Sequence, residues 1–189
     1  MIILEGPDGG GKSTLAEWIA AVQGSKVYRS PGPCSSAAWK ERMYWHKYIT
    51  ALDRGVMDRC MLSEYVYGNV LRCRSHVKIE EVNEFLLNFL LTSKSNIFVY
   101  CGMKFPAIKK TEGSIHLDAA AKKLLEDAAE DRKSDIDKSY TDFLNQFISN
   151  VMTSESGLGT SIGALNAQFI TIRTIADYQK LFNKLGEIK

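Results

Sequence analysis

Met1-Ile2-Ile3-Leu4-Glu5-Gly6-Pro7-Asp8-Gly9-Gly10-Gly11-Lys12-Ser13-Thr14-Leu15 opens the chain, and the reading of this stretch decides the fold. Gly6, four further residues and Gly11-Lys12-Ser13 match the phosphate-loop pattern G-x-x-x-x-G-K-[ST], with an apolar run before it and an amphipathic run after it. A phosphate chain held in such a loop needs inward-pointing backbone N–H groups with no Cβ in the way. Gly9, Gly10 and Gly11 meet that need, and the N-terminus of the next helix adds partial positive charge. Lys12 is placed to reach the terminal phosphates of ATP and the Ser13 hydroxyl to ligate the accompanying Mg²⁺, with Gly6 and Thr14 completing the nucleotide-binding set.

The surrounding chain fits one domain, residues 1–189, long enough to bury a substantial core. Hydrophobic residues make up 45% and charged residues 24%, and a net charge of +2 is too small for bulk nucleic-acid binding, so an anionic substrate must be held locally. Cys34, Cys60, Cys73 and Cys101 form no C-x-x-C pair and have no histidines at zinc spacing, which suits reduced thiols in a cytoplasmic protein. The chain opens on a strand and contains no apolar run of membrane-spanning length, so neither a signal peptide nor a membrane association is expected.

Residues 1–5 read as a strand buried on both faces, because the apolar run is continuous rather than alternating. The next helix carries Leu15, Trp18, Ile19 and Val22 at i, i+3, i+4 and i+7, a stripe expected to face the sheet, and Gly24 ends it. A second strand, 26–29, runs into the Pro/Gly-rich loop 30–36, and a polar and aromatic helix follows over about 37–53. A brief third strand, 56–59, delivers Asp58 and Arg59 to the same sheet edge, and a helix over 61–71 comes next. Val82, Phe85, Leu86, Phe89 and Leu90 predict a core helix over 79–93, and 96–101 a fourth strand. Residues 103–117 look like loop, and the charged run 118–142 sits where a helical lid belongs, a lid bounded at about 103–138. Tyr140, Phe143, Leu144, Phe147, Ile148 and Val151 then restore an apolar stripe. A Gly-rich stretch at 154–163, a fifth strand over 168–173 and a helix using Tyr178, Leu181, Phe182 and Leu185 close the chain. Alternating strands and helices predict an α/β, P-loop NTPase fold with a five-stranded parallel sheet and helices on both faces.

A phosphate loop alone does not separate kinases, GTPases and motor ATPases. No Asn-Lys-x-Asp base-reading motif is present, and Val56-Met57-Asp58 is shorter than the strand that ends in paired acids in motor ATPases. An Asp-Arg pair at a strand end, beside an Arg29-Ser30-Pro31-Gly32 loop on the strand before it, suits the binding of a second phosphate opposite the first.

Three stretches carry a family resemblance. Residues 3–14 resemble the opening of thymidylate kinases, Arg29-Ser30-Pro31-Gly32 is similar to their R-E-P-G loop, and Asp58-Arg59 with Ser63 and Tyr67 resembles their D-R-Y-x-x-S-x-x-A-Y motif. The compact length and the Ser-Glu-x-x-Tyr-Gly wording resemble most the small bacteriophage deoxynucleoside monophosphate kinases of this group. The resemblance implies transfer of the γ-phosphoryl of ATP to a deoxynucleoside monophosphate such as dTMP, and a homodimer. It implies that Lys12 neutralises the transferring group, that Ser13 and Asp58 hold Mg²⁺, and that Arg29 and Arg59 clamp the acceptor phosphate. Asp8 would bind the sugar 3′-OH, while Pro31, Arg42, Ser63 and Tyr67 would enclose sugar and base. Ser30, Cys60 and Ala38 depart from the family pattern, and Gly9 stands where one family variant carries a catalytic arginine. The other variant supplies it from the lid, which points to Arg132 as the catalytic arginine, with Lys122, Lys123 and Lys133 as further candidates after it.

Two other readings remain at the level of sequence. A deoxynucleoside kinase acting on a 5′-OH needs a carboxylate base, for which Glu5 is the candidate, but Arg29 and Arg59 would then be unpaired charges in a closing cleft. A P-loop enzyme acting on nucleic acid predicts a basic stripe that the near-neutral charge does not favour.

Overall fold

The apolar run at the start of the chain is the central strand of a parallel sheet. The structure, a computed structural model, describes residues 1–30, 36–52, 54–102, 119–153 and 168–186. Its strands are β1 (Ile2–Glu5), β2 (Val27–Arg29), β3 (Val56–Asp58), β4 (Ile97–Cys101) and β5 (Phe169–Ile172), in the order β2-β3-β1-β4-β5. All pairings are parallel, with Leu4 beside Asp58 and Glu5 beside Tyr100. The helices are α1 (Lys12–Gln23), α2 (Ser36–Thr50), α3 (Met61–Arg72), α4 (Ile79–Thr92), α5 (Ala119–Thr153) and α6 (Ile175–Gly186). The expected α/β, P-loop NTPase fold is therefore present.

Both faces of the sheet are covered, which is why its strands are apolar without alternation. Ile2, Leu4, Val56, Ile97 and Val99 pack with Leu15, Ile19 and Leu181 on the side of α1 and α6. Ile3, Met57, Phe98 and Tyr100 pack on the other side with residues of α2, α3, α4 and α5. The α4 stripe is buried as its spacing predicts, each large side chain contributing about 1.5–3 kcal/mol by leaving water.

Two expectations change. In α1 the buried face is Leu15, Ala16, Ile19 and Ala20, whereas Trp18 and Val22 are 42% and 62% exposed. The two alanines let the helix lie close to the sheet, and Trp18 packs instead on Phe182 of α6, with ring centroids 4.6 Å apart. The charged run and the apolar stripe after it are one helix, α5, rather than two segments, and its Tyr140, Phe143, Leu144 and Phe147 are buried. The predicted lid spans 103–138. Its first part, 103–118, lies outside the described residues, and the remainder is the N-terminal portion of α5. Pro31 and the Gly-rich stretch 154–163 also lie outside them. No described helix is long and apolar enough to cross a membrane. Cys60, Cys73 and Cys101 carry free thiols.

Candidate active site

At the C-terminal end of β1 the chain turns through the phosphate loop, at the sheet edge where open α/β folds bind ligands. Gly6 has φ 138°, and Gly11, with φ 72°, is the left-handed cap that starts α1. The floor of the loop rests on the end of β4. A Cβ on Gly10 would lie 2.5 Å from the Cys101 carbonyl oxygen, and one on Gly6 would meet the same atom. Only a loop without side chains at these points can approach that strand. Gly9, also at positive φ, has open space where a side chain would be. Lys12 is buried and donates to the Pro7 carbonyl at 2.5 Å. Burial, and then the charge of Arg59, lowers its pKa. Thr14 is exposed on the first turn of α1.

β3 ends at Asp58, whose side chain faces a different way from that of the next residue, Arg59. Asp58 is 5% exposed, and its Oδ2 accepts from the Ser13 hydroxyl at 2.8 Å, while its buried Oδ1 has no hydrogen-bond partner. A buried carboxylate oxygen left with open lone pairs beside a serine hydroxyl is a hard-oxygen site of the kind Mg²⁺ or its bound water takes. Arg59 has φ 72°, uncommon for a residue with a side chain. Its guanidinium donates to Ser63 Oγ at 3.0 Å and Tyr67 OH at 3.3 Å, lies 4.9 Å from the centroid of the Tyr67 ring and pairs with Asp8. Burial works against that charge, and Tyr140, Tyr67, Glu5 and Asp8 around it more than offset the penalty. Asp8, Arg59, Ser63 and Tyr67 are thus gathered into one cluster.

Glu5, last in β1, is fully buried. Its Oε1 accepts the backbone N–H groups of Cys60 at 2.6 Å and Ser63 at 3.2 Å, and its Oε2 the hydroxyls of Ser63 at 2.6 Å and Tyr140 at 2.9 Å. Cys60 is the N-cap of α3 and supplies no side-chain capping bond. Glu5 therefore caps α3 from a neighbouring strand, satisfying two of the donors that every helix start leaves open. A carboxylate so engaged and so enclosed has no access to an acceptor hydroxyl.

The remaining candidates are more dispersed. Arg29 stands beside Asp58 in the sheet, but its side chain pairs with Glu17 of α1, whereas Arg59 turns toward α3. Among the described residues the two arginines share no partner. Arg42 lies on α2 near His46. His46 is 1% exposed and its Nε2 meets Ser30 Oγ at 3.0 Å; burial, then the charge of Arg42, lowers its pKa to about 4. Arg132 is exposed on α5, about 12 Å along the helix axis from Tyr140 at 1.5 Å per residue. Further along that helix Asp137 accepts from Tyr100 OH and pairs with Arg173 at 3.4 Å, and Arg173 also donates to Thr141 at 2.9 Å.

Sequence reasoning passed over the capping role of Glu5, the hydroxyl of Tyr140 and the His46–Ser30 bond. A signal was available for the first: an acid at the end of a strand buried on both faces must find donors.

No family model and no curated protein sequence matches the chain. Among solved structures, the chain is similar to the crystal structure of the YorR protein from Bacillus subtilis in complex with phosphorylated GDP. The TM-score is 0.59 at 17% identity, with 100% of this chain and 98% of that chain covered. The likeness is one of fold over the whole length of both chains.

Proposed function

We propose that the protein is a deoxynucleoside monophosphate kinase of the thymidylate kinase type, transferring the γ-phosphoryl of ATP to a monophosphate such as dTMP. The observation that carries the reading is the divergence at the end of β3. Asp58 joins Ser13 at the head of the phosphate loop, and the very next side chain, Arg59, heads the cluster with Asp8, Ser63 and Tyr67. One strand end thereby serves two neighbouring anion sites, as transfer between two phosphates requires. The fold shared with a protein that binds phosphorylated GDP is in keeping with nucleotide chemistry.

In this reading an oxygen of the acceptor monophosphate attacks the γ-phosphorus, its bond to the bridging oxygen breaks, and ADP leaves with that oxygen. Phosphoryl transfer asks the protein for position and charge more than for covalent chemistry. Lys12 exchanges the Pro7 carbonyl for phosphate oxygens, and the backbone N–H groups of Gly9, Gly10 and Gly11 hold the rest of the chain. Ser13 and Asp58 would hold Mg²⁺, which supplies neutralisation of the phosphate charge when bound. Arg59, aided by Arg29, clamps the acceptor phosphate with its planar fork, Asp8 accepts from the sugar hydroxyl, and Tyr67 with Arg42 and Pro31 lines the sugar and base. Arg132 brings positive charge to the transferring group from a lid over 103–138. A single domain, acting as a homodimer in the cytoplasm, completes the proposal.

The competing deoxynucleoside kinase needs Glu5 as its base, and the four hydrogen bonds that Glu5 accepts argue against that use. A coupled assay of ADP release with ATP, Mg²⁺ and a panel of nucleosides, monophosphates and oligonucleotides separates the readings. Turnover with at least one deoxynucleoside monophosphate is expected, and turnover with nucleosides but no monophosphate overturns the proposal.

A further inference from the structure

Of the four hydrogen bonds into Glu5, three come from the turn 60–63 and one from Tyr140, on an element 135 residues away in sequence. Tyr140 is fully buried, and burial together with the Glu5 charge raises its pKa well above 10, so the phenol keeps its proton and acts as a donor. Its hydroxyl also lies 2.8 Å from Ser63 Oγ, and Ser63 Oγ in turn receives Arg59 at 3.0 Å. Carboxylate, serine and tyrosine thus form a closed set with the guanidinium of Arg59 at its outer edge. The backbone is bound into the same set. The Cys60 N–H held by Glu5 directly follows Arg59, whose left-handed φ of 72° needs its flanks fixed to persist.

Tyr140 belongs to α5, the unbroken helix that also carries Arg132. Seating α5 on the sheet and setting Arg59 are therefore one event at the level of hydrogen bonds. We propose that Tyr140 is a positioning residue: through Glu5 and Ser63 it makes the alignment of the Arg59 clamp depend on the seating of α5. The inference rests on the proposed role of Arg59 for its consequence in catalysis, but its physical content, a coupling between α5 and the 59–63 turn, stands apart from any substrate.

Tyr140→Phe removes one oxygen and keeps the ring, which packs against Tyr100 and Tyr67 at centroid distances of 5.6 and 6.3 Å. Amide hydrogen exchange on the protein without substrate reads the coupling. Protection at Cys60 and Ser63 is expected to fall about tenfold, the size of one lost buried hydrogen bond, while β4 amides hold theirs. In steady-state kinetics the KM for the monophosphate is expected to rise about as much, with the KM for ATP within about twofold. Unchanged protection at Cys60 and Ser63 overturns the coupling, and an equal rise in both KM values shows general loosening and overturns it too. Glu5→Gln, which weakens the shared acceptor, is expected to lower amide protection in α5 around Tyr140 as well as at Cys60 and Ser63, and unchanged α5 protection overturns the coupling if Tyr140→Phe does not fold. Because exchange needs no turnover, a wild-type enzyme that ignored monophosphates would remove the functional reading and leave the exchange result to decide the coupling.

Discussion

The phosphate loop and the surface around Arg59 sit side by side at one sheet edge, yet they are built by different kinds of contact. The loop takes its shape from its own glycines and a single strand end, so nearly everything it needs lies within residues 6–15. The Arg59 surface is assembled from β1, the turn after β3, α3 and α5, joined by side-chain hydrogen bonds between distant parts of the chain. A locally encoded site tolerates change elsewhere, whereas one assembled over long range responds to whatever moves its most remote member.

That contrast can be broken at several points. Lys12→Ala strikes the local site directly and is expected to lower kcat/KM by about 10³, or about 4 kcal/mol of transition-state stabilisation, with the fold intact by circular dichroism. Retention of more than about a tenth of the wild-type value would separate Lys12 from the chemistry. Arg132→Ala tests the remote side, and kcat should fall by about 10² or more, as for a transition-state arginine delivered by a moving element. A fall of less than about threefold removes Arg132 from the mechanism. Gly10→Ala sharpens the local half of the contrast. Its Cβ would sit 2.5 Å from the Cys101 carbonyl, so the loop or β4 must shift, at a cost of about 1–3 kcal/mol in denaturant unfolding and with weakened ATP binding. Unchanged ATP affinity would mean that the loop does not need its seat on β4.

The last test concerns His46, which ties α2 to Ser30 and acts on stability alone. Burial, then Arg42, lowers its pKa from 6.5 to about 4, so between those values the unfolded chain binds a proton that the folded protein refuses. Stability is then full above about pH 6.5 and falls as the pH drops toward 4, by about 2 kcal/mol at pH 5. His46→Gln should flatten the fall in Tm between pH 7 and 5. Parallel losses in variant and wild type would place the acid-sensitive group elsewhere.

Legibility followed the same division. The strand and helix order and the α4 stripe could be read because periodicity and motif spacing are properties of short stretches. Trp18 and Val22 were misplaced by the same periodicity, because a stripe says which residues share a helix face and not which of two neighbouring faces lies on the sheet. The charged half of α5 read as a separate segment because its charged residues carry no apolar signal, although the helix continues through it. Arg29 stands beside Asp58 in the sheet and Arg59 follows Asp58 directly, but the two arginine side chains part toward α1 and α3, a choice set by rotamers and partners rather than by register.

By itself the sequence determined the phosphate loop and the α/β fold around it, because glycine placement, helix starts and apolar runs act over a few residues. Only the tertiary structure decided what Glu5 does. Its neighbours in sequence are a strand and a glycine, and the donors that hold it arrive from α3 and α5 once the sheet has brought those helices to one edge. A buried carboxylate announces that it needs partners, and folding alone selects them.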